Sequence, residues 1–274
     1  MTVRPAMWAC LLMLAACATP PTVDRRQQAD GIAATAGWQA LDINADLFVL
    51  RAYAPAQFPA SKTLTLYIEG DGQAWISSDR PSDDPTPTQP LALQLAVRDA
   101  SESAAYLARP CQYVREETRG GCVSAYWTGK RFAPEIIAAT NHAVDRLKQR
   151  AGAKQLVLIG YSGGGAVAAL VAAQRQDVVR LVTIAGNLDH VAWTKLHQVS
   201  PLQGSLNPVD AWAALQRIPQ VHFVGASDTT MPESIALAYR AHLPANAPIQ
   251  LRIMPGFDHH CCWVEQWPGL LQTQ

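Results

Sequence analysis

The run Leu156-Val157-Leu158-Ile159 into Gly160-Tyr161-Ser162-Gly163-Gly164 constrains this chain more than any other stretch. Four consecutive apolar residues read as a strand buried on both faces. The small-residue stretch Gly165–Gln174 reads as a helix packed closely on a sheet. Between them lies a G-x-S-x-G turn, where bulkier side chains beside the serine would clash. A strand, a sharp turn and a helix in that order hold a serine hydroxyl out as a nucleophile. The competing reading is a glycine-rich helix start that cradles phosphate. No lysine follows, and the glycine spacing of dinucleotide-binding turns is absent.

Around this turn the chain alternates. Strands are expected at Leu47–Tyr53, Leu64–Glu69, Ala105–Ala108, Gln155–Ile159, Leu181–Ala185, Val221–Val224 and Ile249–Met254. Helices are expected at 90–98, 134–150, 165–174, 232–242 and 262–271, the second carrying Ile136, Ile137, Ala143, Val144 and Leu147 on a helical period. Such alternation means an α/β fold: a mostly parallel sheet with helices on both faces. Two segments break the rhythm. Ser78–Pro90 holds Pro81, Pro85, Pro87 and Pro90 and reads as a stiff loop, and residues 187–215 form a long excursion with Trp193, His197 and Trp212. Long ordered loops in compact domains tend to be functional, but neither segment is large enough for a cap domain.

A serine hydroxyl needs a base, and the base needs an acid to orient it. The acid is expected after a later strand. Gly225-Ala226-Ser227-Asp228 follows Val221–Val224 and precedes Pro232, so Asp228 is preferred, with Asp189 after the preceding strand as the alternative. Either aspartate could instead cap a helix. The base is expected after the last strand, where Pro255-Gly256-Phe257-Asp258-His259-His260 offers two histidines. Gly256-x-x-His259 matches the usual turn, so His259 is preferred and His260 is the alternative; the other five histidines read as surface or packing residues.

From about residue 45 to the end, the chain resembles an α/β-hydrolase serine hydrolase: the elbow at Ser162 and the chain order Ser162, Asp228, His259 match that family. The resemblance implies an α/β-hydrolase fold that cleaves carboxylic esters, or less readily amides, without a cofactor. It implies an oxyanion hole made by the N–H of Gly163 and a second N–H from the loop Glu69-Gly70-Asp71-Gly72-Gln73, donated by Asp71 or Gly72. That loop departs from the family's His-Gly form, with Glu69 in the histidine place. The Asp71 side chain is expected to point away from the oxyanion. Trp75, Trp127, Tyr161 and Trp263 could line a substrate pocket or lie in the core. A non-catalytic lipoprotein that uses the same scaffold for binding is the alternative function, since fold alone does not prove activity.

The N-terminus addresses location. Arg4 and an apolar stretch from Ala6 to Ala16, too short to span a bilayer, read as a signal peptide over 1–16. Leu14-Ala15-Ala16-Cys17 resembles the bacterial lipobox, which implies lipid, palmitate among it, on Cys17. Residues 17–40 then read as a lipidated tether and 41–274 as the hydrolase domain. Ala18 after the cysteine is the form that favours outer-membrane sorting, facing the periplasm. Export permits disulfides, and Cys111–Cys122 is the expected pair; Cys261 and Cys262 are free or joined to each other. Residues 259–262 supply His and Cys atoms, but four consecutive residues cannot face one ion, so no metal site is expected. Net charge is zero and there are no basic blocks, which disfavours nucleic acid. The expected partners are an ester substrate and the membrane, and the expected state is a monomer.

Overall fold

The computed structural model describes residues 24–272 except 102, 116 and 118. The expected signal segment, Cys17 and the first residues of the expected tether lie outside the described residues. The order is α1 (Arg25–Thr35), β1 (Trp38–Ala45), β2 (Phe48–Pro55), β3 (Thr63–Ile68), α2 (Leu91–Ala96), β4 (Ala104–Leu107), α3 (Pro134–Ala151), β5 (Gln155–Tyr161) and α4 (Gly163–Ala173). It continues β6 (Val178–Ile184), α5 (His190–His197), α6 (Trp212–Leu215), β7 (Gln220–Gly225), α7 (Glu233–Ala241), β8 (Ile249–Met254) and α8 (Trp263–Gln272).

Eight strands form one sheet in the order β1-β2-β4-β3-β5-β6-β7-β8. β1 and β2 pair antiparallel, and β2 runs antiparallel to β4; every later pairing is parallel. Parallel neighbours need crossovers, and helices supply them on both faces. One face buries Ile136, Ile137, Val144 and Leu147 of α3 with Val167 and Val171 of α4. The other buries Ala29 and Ala33 of α1, Leu91, Leu93 and Leu95 of α2, and Trp263 and Trp267 of α8. In this second layer the Trp267 indole donates to the Tyr67 hydroxyl at 2.8 Å.

Local chemistry explains the element ends. α3 opens on Pro134 with Glu135 in its first turn, carries Lys148 and Arg150 in its last, and stops at Gly152 with φ 64°. These residues match the helix dipole and supply the left-handed stop. β5 and β6 are nearly all apolar because they lie mid-sheet.

One segment departs from its sequence reading. Residues 24–40, expected to be tether, are folded onto the body. Asp24 caps α1, accepting from the N–H groups of Arg26 and Gln27. Arg51 of β2 pairs with Asp42 of β1 and Asp30 of α1, and the Tyr53 hydroxyl donates to Asp30 at 2.7 Å. Arg25 reaches the Thr86 carbonyl at 2.7 Å and the Gln73 side chain at 2.5 Å. Polar bonds hold this helix, so no apolar stripe announces it. Among the described residues no helix is long and apolar enough to cross a membrane.

Candidate active site

β5 runs into α4 through Ser162, whose backbone is held at φ 52° and ψ −122°. A positive φ in a residue with a Cβ is strained and persists only where its surroundings enforce it. Here the glycines are the means. A Cβ on Gly160 would stand 2.2 Å from the Gly164 carbonyl oxygen, and one on Gly164 would stand 2.3 Å from the Ile68 oxygen and 2.4 Å from the Glu69 oxygen. The turn is therefore jammed against the end of β3, and its tip carries the Ser162 hydroxyl.

Two loops bring the partners. The turn after β7 places Asp228, and the turn after β8 places His259. These turns interlock: the Ser227 N–H donates to the Phe257 oxygen at 2.8 Å, and Gly225 has no room for a Cβ against the same carbonyl. His259 Nε2 lies 3.1 Å from Ser162 Oγ, and His259 Nδ1 lies 2.9 Å from Asp228 Oδ2. Asp228 Oδ1 accepts from the N–H groups of Thr230 and Met231 at 2.8 and 2.7 Å. Burial alone would raise the Asp228 carboxyl; the hydrogen bond and charge of His259 and these two N–H groups outweigh it and hold the group below its ordinary value. Asp228 is only 3% exposed, so its orienting charge is shielded from solvent.

The two alternatives sit elsewhere in function. Asp189 caps α5, accepting from the N–H groups of Val191 and Ala192, and takes a third bond from Asn207. His260 stands nearly perpendicular to His259, with its Nδ1 3.1 Å from the Tyr161 hydroxyl. Tyr161 also donates to the His259 carbonyl oxygen at 3.1 Å, tying the histidine turn to the elbow.

The loop after β3 closes the site. A Cβ on Gly70 would lie 3.4 Å from Ser162 Cβ, so the backbone passes directly beside the nucleophile candidate. Gly72, at φ 64°, is pressed against the Pro85 carbonyl. Gly163 begins α4, so its N–H has no acceptor one turn back, and the N–H groups of Asp71 and Gly72 have no acceptor among the described residues. Glu69 faces inward, accepting from the N–H groups of Gly70 and Ala92 and the Tyr106 hydroxyl. Burial pushes its carboxyl up to about 7 against these three bonds.

Asp71 does not point away as expected. Its carboxylate lies where a Cβ on Gly163 would come within 2.0 Å of Oδ1. Its charge is matched instead of removed: Arg109 Nη1 lies 3.0 Å from Oδ1 and Arg131 Nη1 lies 2.6 Å from Oδ2. Burial would raise this carboxyl, but the two guanidinium groups outweigh it and lower it. Arg109 also donates through Nη2 to the Arg131 carbonyl. Gln112 joins the same frame, donating to the Gly70 oxygen at 2.9 Å. The Cys111–Cys122 disulfide staples the loop that carries Arg109 and Gln112. Sequence reasoning did not find this cluster, because its members are far apart in the chain and carry no spacing signal.

The site opens into a cavity of about 660 Å³ lined by Ser162, His259, Asp71, Arg131, Trp75 and Trp193, among others. Tyr161 also lines it. Trp127 and Trp263 do not: both are buried, their indoles donating to the carbonyls of Ser82 and Asp258. Cys261 and Cys262 are joined to each other just after the two histidines.

A strand-turn-helix elbow, with its neighbours on the ends of β3, β7 and β8, places every candidate at the carboxyl edge of a mostly parallel sheet. The chain has the α/β-hydrolase fold. A family model described as alpha/beta hydrolase fold matches residues 108–201, which contain the elbow. Among solved structures of this fold, Est1E from Butyrivibrio proteoclasticus with bound ferulic acid superposes with a TM-score of 0.62 at 16% identity, over 86% of this chain and 99% of that one. The Pyrococcus furiosus esterase Pf2001 gives 0.60 at 12% identity, over 86% and 88%. XC6422 from Xanthomonas campestris, described as an α/β serine hydrolase without a lid, gives 0.56 at 13%, over 86% and 92%. No curated protein matches the sequence.

Proposed function

We propose that the protein is a serine hydrolase that cleaves carboxylic esters, and amides less readily. The observation that carries this reading is the continuous chain from Ser162 Oγ through His259 to Asp228, at 3.1 and 2.9 Å. His259 takes the Ser162 proton as the hydroxyl attacks the carbonyl carbon. Asp228 holds the imidazole with Nδ1–H toward itself, leaving Nε2 free to accept, and stabilises the imidazolium that forms. The oxyanion is received by the N–H of Gly163 and by that of Asp71. Asp71 serves because Gly70 lies against Ser162, whereas Gly72 is packed against Pro85. His259 then protonates the leaving alcohol, and water, activated by the same imidazole, releases the acid.

On this reading the protein is an exported bacterial lipoprotein that works from the cell envelope, held by lipid on Cys17; the Cys111–Cys122 disulfide supports an oxidising compartment. The first described residue is Asp24, so the chain from Cys17 to it spans at most about 25 Å. The cavity therefore works close to the membrane, which is the outer membrane on its periplasmic side by the residue after Cys17.

A fluorophosphonate probe located by mass spectrometry tests the chemistry. Ser162 is the expected adduct, and Ser162→Ala should lower ester turnover by about four to six orders of magnitude with the thermal unfolding curve retained. Labelling that survives this substitution would overturn the reading. Palmitate labelling that persists in Cys17→Ser would overturn the anchor.

A further inference from the structure

Beside Ser162 the Asp71 carboxylate meets two guanidinium groups, one of which lines the cavity. Arg131 is the only arginine or lysine among its lining residues, beside Glu69, Asp71, His259 and His260. Asp71 is shared between two guanidinium groups, Arg109 and Arg131. Arg109 is spent on the fold: Nη1 holds Asp71 and Nη2 holds the Arg131 carbonyl. Arg131 is not. Its Nε donates to the Thr128 oxygen and its Nη1 to Asp71, while Nη2 has no partner among the described residues and the side chain is 7% exposed. Two cations share one anion, and one guanidinium edge is left facing the cavity. Its position is fixed from three sides, by Thr128, Asp71 and the face of Trp193, 6.0 Å from the guanidinium carbon.

A largely buried, pre-oriented guanidinium with a free N–H donor is a ready binding site for a carboxylate. Asp71 lies between it and Gly163, so one carboxylate's width separates Arg131 from the oxyanion side of the site. We propose that Arg131 anchors a carboxylate on the substrate, a few bonds from the scissile carbonyl, and so makes negatively charged esters the preferred substrates. The inference rests on Ser162 being the nucleophile and adds the substrate class. Arg131 acts by binding and does not enter the proton transfers.

The test compares charged and neutral esters on the purified protein, with hydrolysis followed by pH-stat. Monoethyl glutarate against ethyl butyrate places the carboxylate on the acyl side; 4-acetoxybenzoate against phenyl acetate places it on the alcohol side. At least one charged ester should exceed its neutral partner in kcat/KM by about tenfold or more, and that pair identifies the side. Arg131→Gln should lower the charged-to-neutral ratio by about tenfold, and Arg131→Lys should retain part of it. Should Arg131→Gln fail to fold, competitive inhibition of the unaltered protein by glutarate or benzoate, but not by glutaramide or benzamide, carries the same information. No charged preference in either pair, or a preference that Arg131→Gln leaves unmoved, overturns the proposal while leaving the hydrolase reading intact. No hydrolysis of any of the four esters and no probe adduct on Ser162 overturns both.

Discussion

Asp228→Asn separates orientation of the base from mere presence of a polar group. The two side chains have nearly the same shape, so the turn after β7 should keep its form. What changes is the number of acceptors. In the native site Oδ1 takes the N–H groups of Thr230 and Met231, at 2.8 and 2.7 Å, and Oδ2 takes His259 Nδ1–H at 2.9 Å. An asparagine has one carbonyl oxygen. The two backbone donors claim it, since turning the amide would aim N–H at N–H twice. The NH₂ then faces His259 Nδ1 and can only donate. His259 is driven to the tautomer with its proton on Nε2, so Nε2 can no longer accept from Ser162 Oγ. Loss of the correct tautomer in a triad of this kind costs about 10⁴ in kcat, equivalent to about 5.5 kcal/mol of transition-state stabilisation. The assay is kcat and KM on a neutral aryl acetate, with thermal unfolding as the control for fold. kcat should fall by about that factor with KM little moved, because no substrate contact is touched. A loss smaller than about tenfold, in a variant that remains folded, would refute the claim that this carboxylate sets the working tautomer.

Three further outcomes follow from the surroundings of the site. Glu69 is an acid whose folded value is raised, from 4.5 to about 7, so folding favours its protonated form; stability should fall as pH rises from about 4.5 to 7, with the penalty complete above that range and of order 3 kcal/mol. Glu69→Gln should therefore raise the melting temperature at pH 8 much more than at pH 4.5, and an equal change at both values would refute the assignment. Asp71 and Asp228 have the opposite sign, their folded values being depressed, so their contribution is present at neutral pH and lost as pH falls below the ordinary carboxylate range. The Cys111–Cys122 bridge spans 11 residues and should be worth about 3 kcal/mol on the chain-entropy view. Its removal by paired serine substitutions should appear as that loss in urea unfolding, together with weaker turnover, because Gln112 beside it holds the Gly70 carbonyl.

The candidate triad was legible because each member sits at the end of a strand whose apolar run is visible in the sequence. Strand ends on one sheet edge are brought together by the topology alone, so Ser162, Asp228 and His259 needed no long-range information beyond the fold class. α1 was not legible for a physical reason. Only Ala29 and Ala33 are buried along it, and it is held by Arg25, Arg51, Asp30 and Tyr53, whose pairings cross from one element to another. β1 did carry a signal: Leu41, Ile43 and Ala45 alternate with polar residues, and that period-two pattern could have found it. Trp127 and Trp263 show the limit of composition. An indole buried in the core with a satisfied N–H and an indole lining a cavity look the same in sequence; only the fold separates them from Trp75 and Trp193.

The cluster of Asp71, Arg109 and Arg131 resolves the conflict that the sequence posed. A carboxylate beside Gly163 would repel the negative charge that develops on the substrate oxygen, and at close range in a partly dry site that repulsion would exceed its cost in water. Moving Asp71 away would avoid the problem but would free the loop that carries its N–H. The structure keeps the carboxylate in place, where it fixes the loop by two charge-assisted bonds, and surrounds it with two positive charges. These three groups together carry one net positive charge, so on the proposed mechanism they hold the loop rigid and favour the transition state. One guanidinium would neutralise the carboxylate, and the second leaves a surplus for the developing charge and the anionic substrate proposed above.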